Sequence, residues 1–183
     1  SANAAGVQRT GFPYEKTWNP TTGRVGLTWE AAPGTTLYGQ YGTAADVAAN
    51  NIFLLGATQP LDLTRTRNAE LGIKQAFWQQ RGEWTLAFYD TERRNVYAAQ
   101  GGQQLAQAGA LKSRGVEASL ALRPDAQWSL WSNLALNRAR YEGYVQADGT
   151  SFSGHQPPNA PRVIANAGVG YRFVLGVPMQ VSA

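Results

Sequence analysis

The sequence predicts an all-β fold, an antiparallel up-and-down meander of about seven to eight strands, and three observations carry that prediction. Apolar and polar residues alternate with a period of two along most of the chain after Gly23, the pattern of a strand with one apolar face. Short turns rich in Pro, Gly and Asp alternate with long polar connections. No window approaches the ~18 consecutive apolar residues of a membrane helix. A helical membrane protein is thereby excluded. So is a disordered chain, because 43% of the 183 residues are hydrophobic and 11% aromatic, enough to bury apolar surface.

The strands follow in order. Val25, Leu27 and Trp29 alternate with Gly26 and Thr28, and Trp84, Leu86 and Phe88 with Thr85, Ala87 and Tyr89. Val116, Ala118, Leu120 and Leu122 alternate with Glu117, Ser119 and Ala121, while Trp128, Leu130, Leu134 and Leu136 oppose Ser129, Asn133, Ala135 and Asn137. Val163 to Phe173 keeps Val, Ala, Tyr and Phe on one parity and Arg162, Asn166, Gly168 and Arg172 on the other. An eighth strand begins near Met179. Tight turns are expected at Ala32-Pro33-Gly34, Gln79 to Gly82, Arg123 to Ala126 and Leu175 to Pro178, from their Pro, Gly and Asp content. Long loops are expected near 43–66, 99–109 and 143–160. Residues 1–22 read as a linker or an incoming strand, and 23–183 as the strand array.

Short turns at one end and long loops at the other are the habit of an outer-membrane β-barrel. Such a strand needs ~9–11 residues to cross, and these segments are long enough. In that setting the Leu, Val, Trp and Phe parity faces lipid and the Gly, Ser, Thr, Asn, Lys and Glu parity faces the lumen. Trp29, Trp84, Trp128 and Tyr171 lie near the short-turn ends, where interfacial girdle residues belong. The alternative places the same aromatics in the core of a soluble sandwich, as in a carbohydrate-binding module.

Several classes of chemistry find no support. There is no Cys and only one His, His155, in the loop segment Gly154-His155-Gln156-Pro157-Pro158, so neither a thiolate nor a multi-His metal centre can form. Ser151 and Ser153 are loop serines without a triad, and no G-x-x-x-x-G-K phosphate loop exists. The net charge of +4 is spread in ones and twos, unlike the clustered basic face that nucleic acid requires. The chain reads as neither an enzyme nor a nucleic-acid binder.

One ordered set of segments resembles a known family. It runs Leu37-Tyr38-Gly39-Gln40-Tyr41-Gly42, Arg67-Asn68-Ala69-Glu70-Leu71-Gly72-Ile73-Lys74, then Leu86 to Val96. Ser113-Arg114-Gly115-Val116-Glu117, Asn137 to Glu142, Asn159-Ala160-Pro161-Arg162 and Tyr171-Arg172-Phe173 complete it. The series resembles the C-terminal part of the barrel of a TonB-dependent outer-membrane receptor, in the ferric-siderophore branch. That resemblance implies a piece of a large transmembrane barrel wall, with the plug domain, the energy-coupling box and the closing strands expected outside these residues. It also implies a bacterial outer-membrane location, contact with outer-membrane lipid, and a ferric siderophore as the transported ligand. No intrinsic cofactor is implied. The expected partners are the receptor's own plug and remaining strands, and the TonB complex reached through the missing N-terminal part. A non-TonB barrel, such as an adhesin or autotransporter translocator, is the other membrane reading.

Two sets of site residues follow. Glu70, Lys74, Arg93 and Glu117 fall on the polar parity of neighbouring strands and are expected to form a lumen charge network against the plug. Tyr97, Arg140, Tyr141 and Tyr144 lie at strand-to-loop junctions. The resemblance makes them the candidates for ligand contact, because aromatic rings and guanidinium groups suit an anionic, aromatic iron chelate.

Overall fold

A computed structural model describes residues 17–47, 62–100, 104–107, 109–145 and 149–183. Ten strands follow one another: β1 (Arg24–Ala32), β2 (Thr35–Val47), β3 (Leu63–Phe77), β4 (Gly82–Arg94), β5 (Tyr97–Gln100), β6 (Gln104–Gln107), β7 (Ala110–Leu122), β8 (Trp128–Glu142), β9 (Val163–Leu175) and β10 (Val177–Ser182). Eight of them form one antiparallel sheet in the order β1-β2-β3-β4-β7-β8-β9-β10. Each strand is bonded to its neighbour in the chain, which is the expected meander. The small β5-β6 hairpin is inserted between β4 and β7. Strands β1 and β10 are its two edges, and neither has a second partner among the described residues.

The tight turns and the long connections lie at opposite ends of the sheet. All four tight turns lie at one end of the sheet. Gly34 takes a φ of +75° in the β1-β2 turn and Gly176 one of +73° between β9 and β10, values that an L side chain adopts only at a cost. In the β7-β8 turn, the Asp125 carboxylate accepts from the backbone N–H groups of Gln127 and Trp128, at 2.8 Å each. The β3-β4 turn is different: Trp78, Gln79 and Gln80 all have positive φ (54°, 54° and 65°) without a glycine, closed by Arg81 N–H donating to Trp78 C=O at 3.1 Å. The other end carries the long connections. The first is shorter than expected, because β2 continues to Val47 and β3 starts at Leu63, whereas the stretch between β4 and β7 starts earlier, after Arg94, and holds the β5-β6 hairpin. Parts of the expected loops, and residues 1–16 of the expected linker, lie outside the described residues.

Register assigns every strand residue to a face. Leu71 sits opposite Gly39 and Phe88, Phe88 opposite Val116, Val116 opposite Leu136, and Leu136 opposite Val163. The second face carries Tyr38, Gln40, Asn68, Glu70, Tyr89, Thr91, Ser113, Glu117, Asn133 and Asn137. Exposure then runs opposite to that of a water-soluble sheet. On β3 the exposed positions include Arg65, Arg67, Ala69 and Leu71, whereas Thr66, Asn68, Glu70 and Gly72 between them are half-buried. On β8, Trp128, Leu130, Leu134 and Leu136 are exposed and Ser129, Ala135 and Asn137 are covered. Leu71 is 67% exposed and Phe88 53%.

The described residues form no buried apolar core to hold such a sheet together in water. Among the described residues the buried hydrophobic side chains are Leu63, Ala87, Ala139 and Tyr144. Eighteen of the twenty-three exposed large apolar residues stand on one face of the sheet. Roughly half of each such side chain stays in water, which forgoes about 1 kcal/mol or more apiece. Summed over that face, the loss exceeds the ~5–15 kcal/mol net stability of an ordinary domain. The sandwich alternative requires this face to be covered, and the structure leaves it open.

Candidate functional site: the polar face and its long-loop rim

The polar face is tied together by side-chain bonds between adjacent strands. Glu70 on β3 accepts from Tyr38 Oη and Gln40 Nε2 of β2, both at 2.9 Å, and Arg24 of β1 donates to Gln40 Oε1. Thr91 Oγ1 donates to Asn68 Oδ1 at 2.5 Å, and Ser113 Oγ to Asn137 Oδ1 at 2.7 Å. Three aromatic residues lie flat on the same face, each over the glycine directly opposite it: Tyr38 over Gly72, Tyr89 over Gly115 and Trp131 over Gly168. A Cβ at any of those glycines would collide with the ring. The rings cover backbone that the missing side chains leave bare, a recurrent way of stabilising glycine in a sheet.

The four expected charges, Glu70, Lys74, Arg93 and Glu117, all stand on this face. They do not form a ladder with one another. Lys74 Nζ pairs with Glu83 at 3.0 Å near the short-turn end, and Arg93 Nη2 with Asp46 at 3.3 Å near the long-loop end. Glu70 is held by Tyr38 and Gln40, and Glu117 lies within electrostatic reach of Tyr38. Asp46, Glu83, Tyr38 and Gln40 are therefore the partners that alternation alone did not reveal. Finding them requires the strand register, which pairs positions from 9 to 47 residues apart.

The tyrosines gather at the long-loop end. Tyr141, Tyr144, Phe152 and His155 form a chain of ring contacts with centroid separations of 5.1, 5.5 and 5.8 Å. Backbone bonds fold the loop back over the end of β8. Phe152 N–H donates to Tyr144 C=O at 2.8 Å, Gly154 N–H to Tyr141 C=O at 2.8 Å, and Tyr141 N–H to His155 C=O at 3.0 Å. Tyr144 is only 4% exposed, whereas His155 stays exposed. Tyr97 starts the inserted hairpin, and its hydroxyl accepts from the backbone N–H of Asp62 at 3.0 Å. Phe152 had no distinguishing signal in the sequence beyond being aromatic in a loop.

Arg140 is not brought to these tyrosines. It has the parity of Leu134 and Leu136, so it stands on the apolar face, whereas Tyr141 stands on the polar one. It belongs to a charged border of that face. Asp90, Arg114 and Arg138 form a first row across β4, β7 and β8. Arg67, Glu92, Lys112 and Arg140 form a second, starting one strand earlier on β3. Glu92 is 4% exposed and lies between Arg67 and Arg94, with Arg94 Nε at 2.6 Å. Lys112 pairs with Glu142 at 2.7 Å, and Arg114 with Asp90.

Comparison with known proteins gives the same architecture. Residues 2–180 match the family model described as the TonB-dependent receptor-like β-barrel, whereas no curated protein sequence matches. Among solved structures, the chain superimposes on the siderophore receptor PiuA from Acinetobacter baumannii with a TM-score of 0.64 at 21% identity, over 82% of this chain and 23% of that one. The ferric-catecholate import receptor Fiu from E. coli K12 gives 0.63 at 18% identity, over 81% and 22%. The alcaligin outer-membrane receptor FauA from Bordetella pertussis gives 0.59 at 18%, over 88% and 28%. The chain thus spans about a quarter of the length of these receptors. With a family model matched over nearly its whole length and the meander of a barrel wall, the chain belongs to the TonB-dependent receptor β-barrel family.

Proposed function

We propose that this chain is part of the wall of a bacterial outer-membrane receptor for TonB-dependent uptake of a ferric siderophore or similar iron chelate. The observation that carries the reading is the inverted sheet: most of its exposed large apolar side chains stand on one face, and side-chain hydrogen bonds between strands tie the other. A bilayer supplies the missing partner for the apolar face. It also demands that every strand bond be satisfied within the barrel, so β1 and β10 pair with the remaining strands of the receptor. The polar face lines the lumen and meets the plug. Glu70, Lys74, Arg93 and Glu117 supply its charged lining, Lys74 and Arg93 as ion pairs and Glu70 as a hydrogen-bonded carboxylate.

The ligand contacts fall to the long-loop end. Tyr141 presents its ring on the lumen side of β8, braced by the buried Tyr144, which in turn contacts Phe152, and Tyr97 stands in the hairpin beyond β4. Aromatic rings bind the flat π-faces of an aromatic chelate by stacking. Arg140 contributes through the outward rim and not through direct ligand contact. The test is uptake of radioactive iron delivered as a panel of ferric chelates, by cells whose only receptor is the full-length protein. Uptake that needs both TonB and the receptor supports the reading. A full-length protein recovered outside the outer-membrane fraction, or uptake indifferent to TonB, overturns it.

A further inference from the structure

The charged border of the apolar face asks for a counterpart. It begins two residues beyond Phe88, Val116 and Leu136, about 7 Å along each strand from the last outward apolar side chain. Its carboxylates are already committed: Asp90 to Arg114, Glu92 to Arg67 and Arg94, and Glu142 to Lys112. Arg138 and Arg140 have no carboxylate within 4 Å among the described residues. With Arg162 they border a cleft of about 280 Å³ between the end of β8 and the returning loop. No acidic side chain lines that cleft, and Gln156 fixes its wall by accepting from Arg162 Nε at 2.8 Å.

We propose that Arg138, Arg140 and Arg162 seat the phosphate of a lipid headgroup in the membrane leaflet on the long-loop side. The inference rests on the barrel-wall reading above and adds a specific ligand to its outer surface. Two arguments select a lipid over a soluble anion. Arg138 and Arg140 share the face of Leu134 and Leu136, so a membrane bounding that face covers their side of the cleft, while Arg162, whose backbone C=O accepts from Asn137 N–H, closes it from the β9 side. Their depth just past the apolar band is the depth of headgroups, where each Lys or Arg attracts anionic lipid. Guanidinium groups suit the task because their fork of donors matches phosphate oxygens.

The test uses the full-length receptor purified in neutral detergent and native mass spectrometry of its lipid adducts. The two probes are lipid A carrying its phosphates and the same lipid stripped of them. Retained adducts are expected with the phosphorylated lipid alone, weakening as salt is raised. The Arg138→Gln/Arg140→Gln double variant is expected to lose adduct by about fivefold per arginine, and the double Lys variant to retain most of it. Lys74→Gln, on the polar face, leaves adducts unchanged. Equal binding of the stripped lipid, or full retention in the double Gln variant, overturns the proposal. That failure is separable from failure of the barrel-wall reading: in the former the receptor stays in the outer membrane and imports iron, and in the latter it does neither.

Discussion

Leu71→Arg separates a membrane wall from a water-soluble sheet by the size of its effect. Leu71 is the middle of three outward apolar positions on β3, between Ala69 and Ile73, and lies opposite Gly39 on one side and Phe88 on the other. It is 67% exposed, so in water only about a third of its side chain is covered. On that basis its loss from a soluble sheet costs about 0.5–1 kcal/mol, a third of the ~1.5–3 kcal/mol for a fully buried leucine. The arginine itself would be welcome in water. At mid-bilayer the same change costs about 2–4 kcal/mol, because a guanidinium replaces a methyl-rich group in hydrocarbon. Asn68→Arg, three residues earlier on the polar face, is the control and is expected to stay within ~1 kcal/mol. The assay is denaturant unfolding of the full-length receptor in lipid vesicles. A Leu71→Arg loss no larger than that of Asn68→Arg would refute the outward assignment of this face.

Other consequences are open to the same measurement. Gly72→Ala is expected to cost about 1–3 kcal/mol, because its Cβ would enter the Tyr38 ring. Gly42→Ala, whose Cβ meets nothing nearer than 3.7 Å, should be neutral within ~0.5 kcal/mol; equal costs would contradict the ring-over-glycine account. Gln80→Gly relieves a positive φ of 65° and is expected to stabilise the β3-β4 turn by about 1 kcal/mol, read as a higher denaturant midpoint. Tyr144→Ala removes ring contacts to both Tyr141 and Phe152, worth about 0.5–1.5 kcal/mol each. It should raise the rate of proteolytic nicking within 143–162 about tenfold or more while leaving the strands protected.

The parts of the molecule that alternate were legible in the sequence, and the parts that depend on register were not. The faces of β4, β7, β8 and β9 follow directly from the two-residue period, and the four tight turns from Pro, Gly and Asp. The strands overrun the expected loop boundaries because Thr43 to Val47, and Leu63 to Thr66, show no clear apolar alternation and still pair. The β5-β6 hairpin leaves no mark on the two-residue pattern, because its Ala and Gln residues give no apolar alternation. Arg140 is the instructive case. Its even number, shared with Leu134 and Leu136, already placed it on the apolar face, but its nearness to Tyr141 in the chain drew it into the tyrosine set. The pairings of Arg93 with Asp46 and Lys74 with Glu83 are invisible until the strands are aligned.

The central claim is that the face bearing Leu71, Phe88 and Leu134 meets lipid, while the face bearing Asn68, Ser113 and Asn133 does not. These 183 residues contain no Cys, so single cysteines introduced at the six positions, in a full-length receptor with any cysteine outside them replaced, can each carry one spin label. The direct measurement is label accessibility to oxygen, which concentrates in hydrocarbon, against a water-soluble nickel chelate, with the receptor in lipid bilayers. The account predicts high oxygen and low nickel accessibility at Leu71, Phe88 and Leu134, and low oxygen accessibility at the other three. Nickel accessibility at Leu71, Phe88 and Leu134 equal to that of an exposed loop site would contradict it.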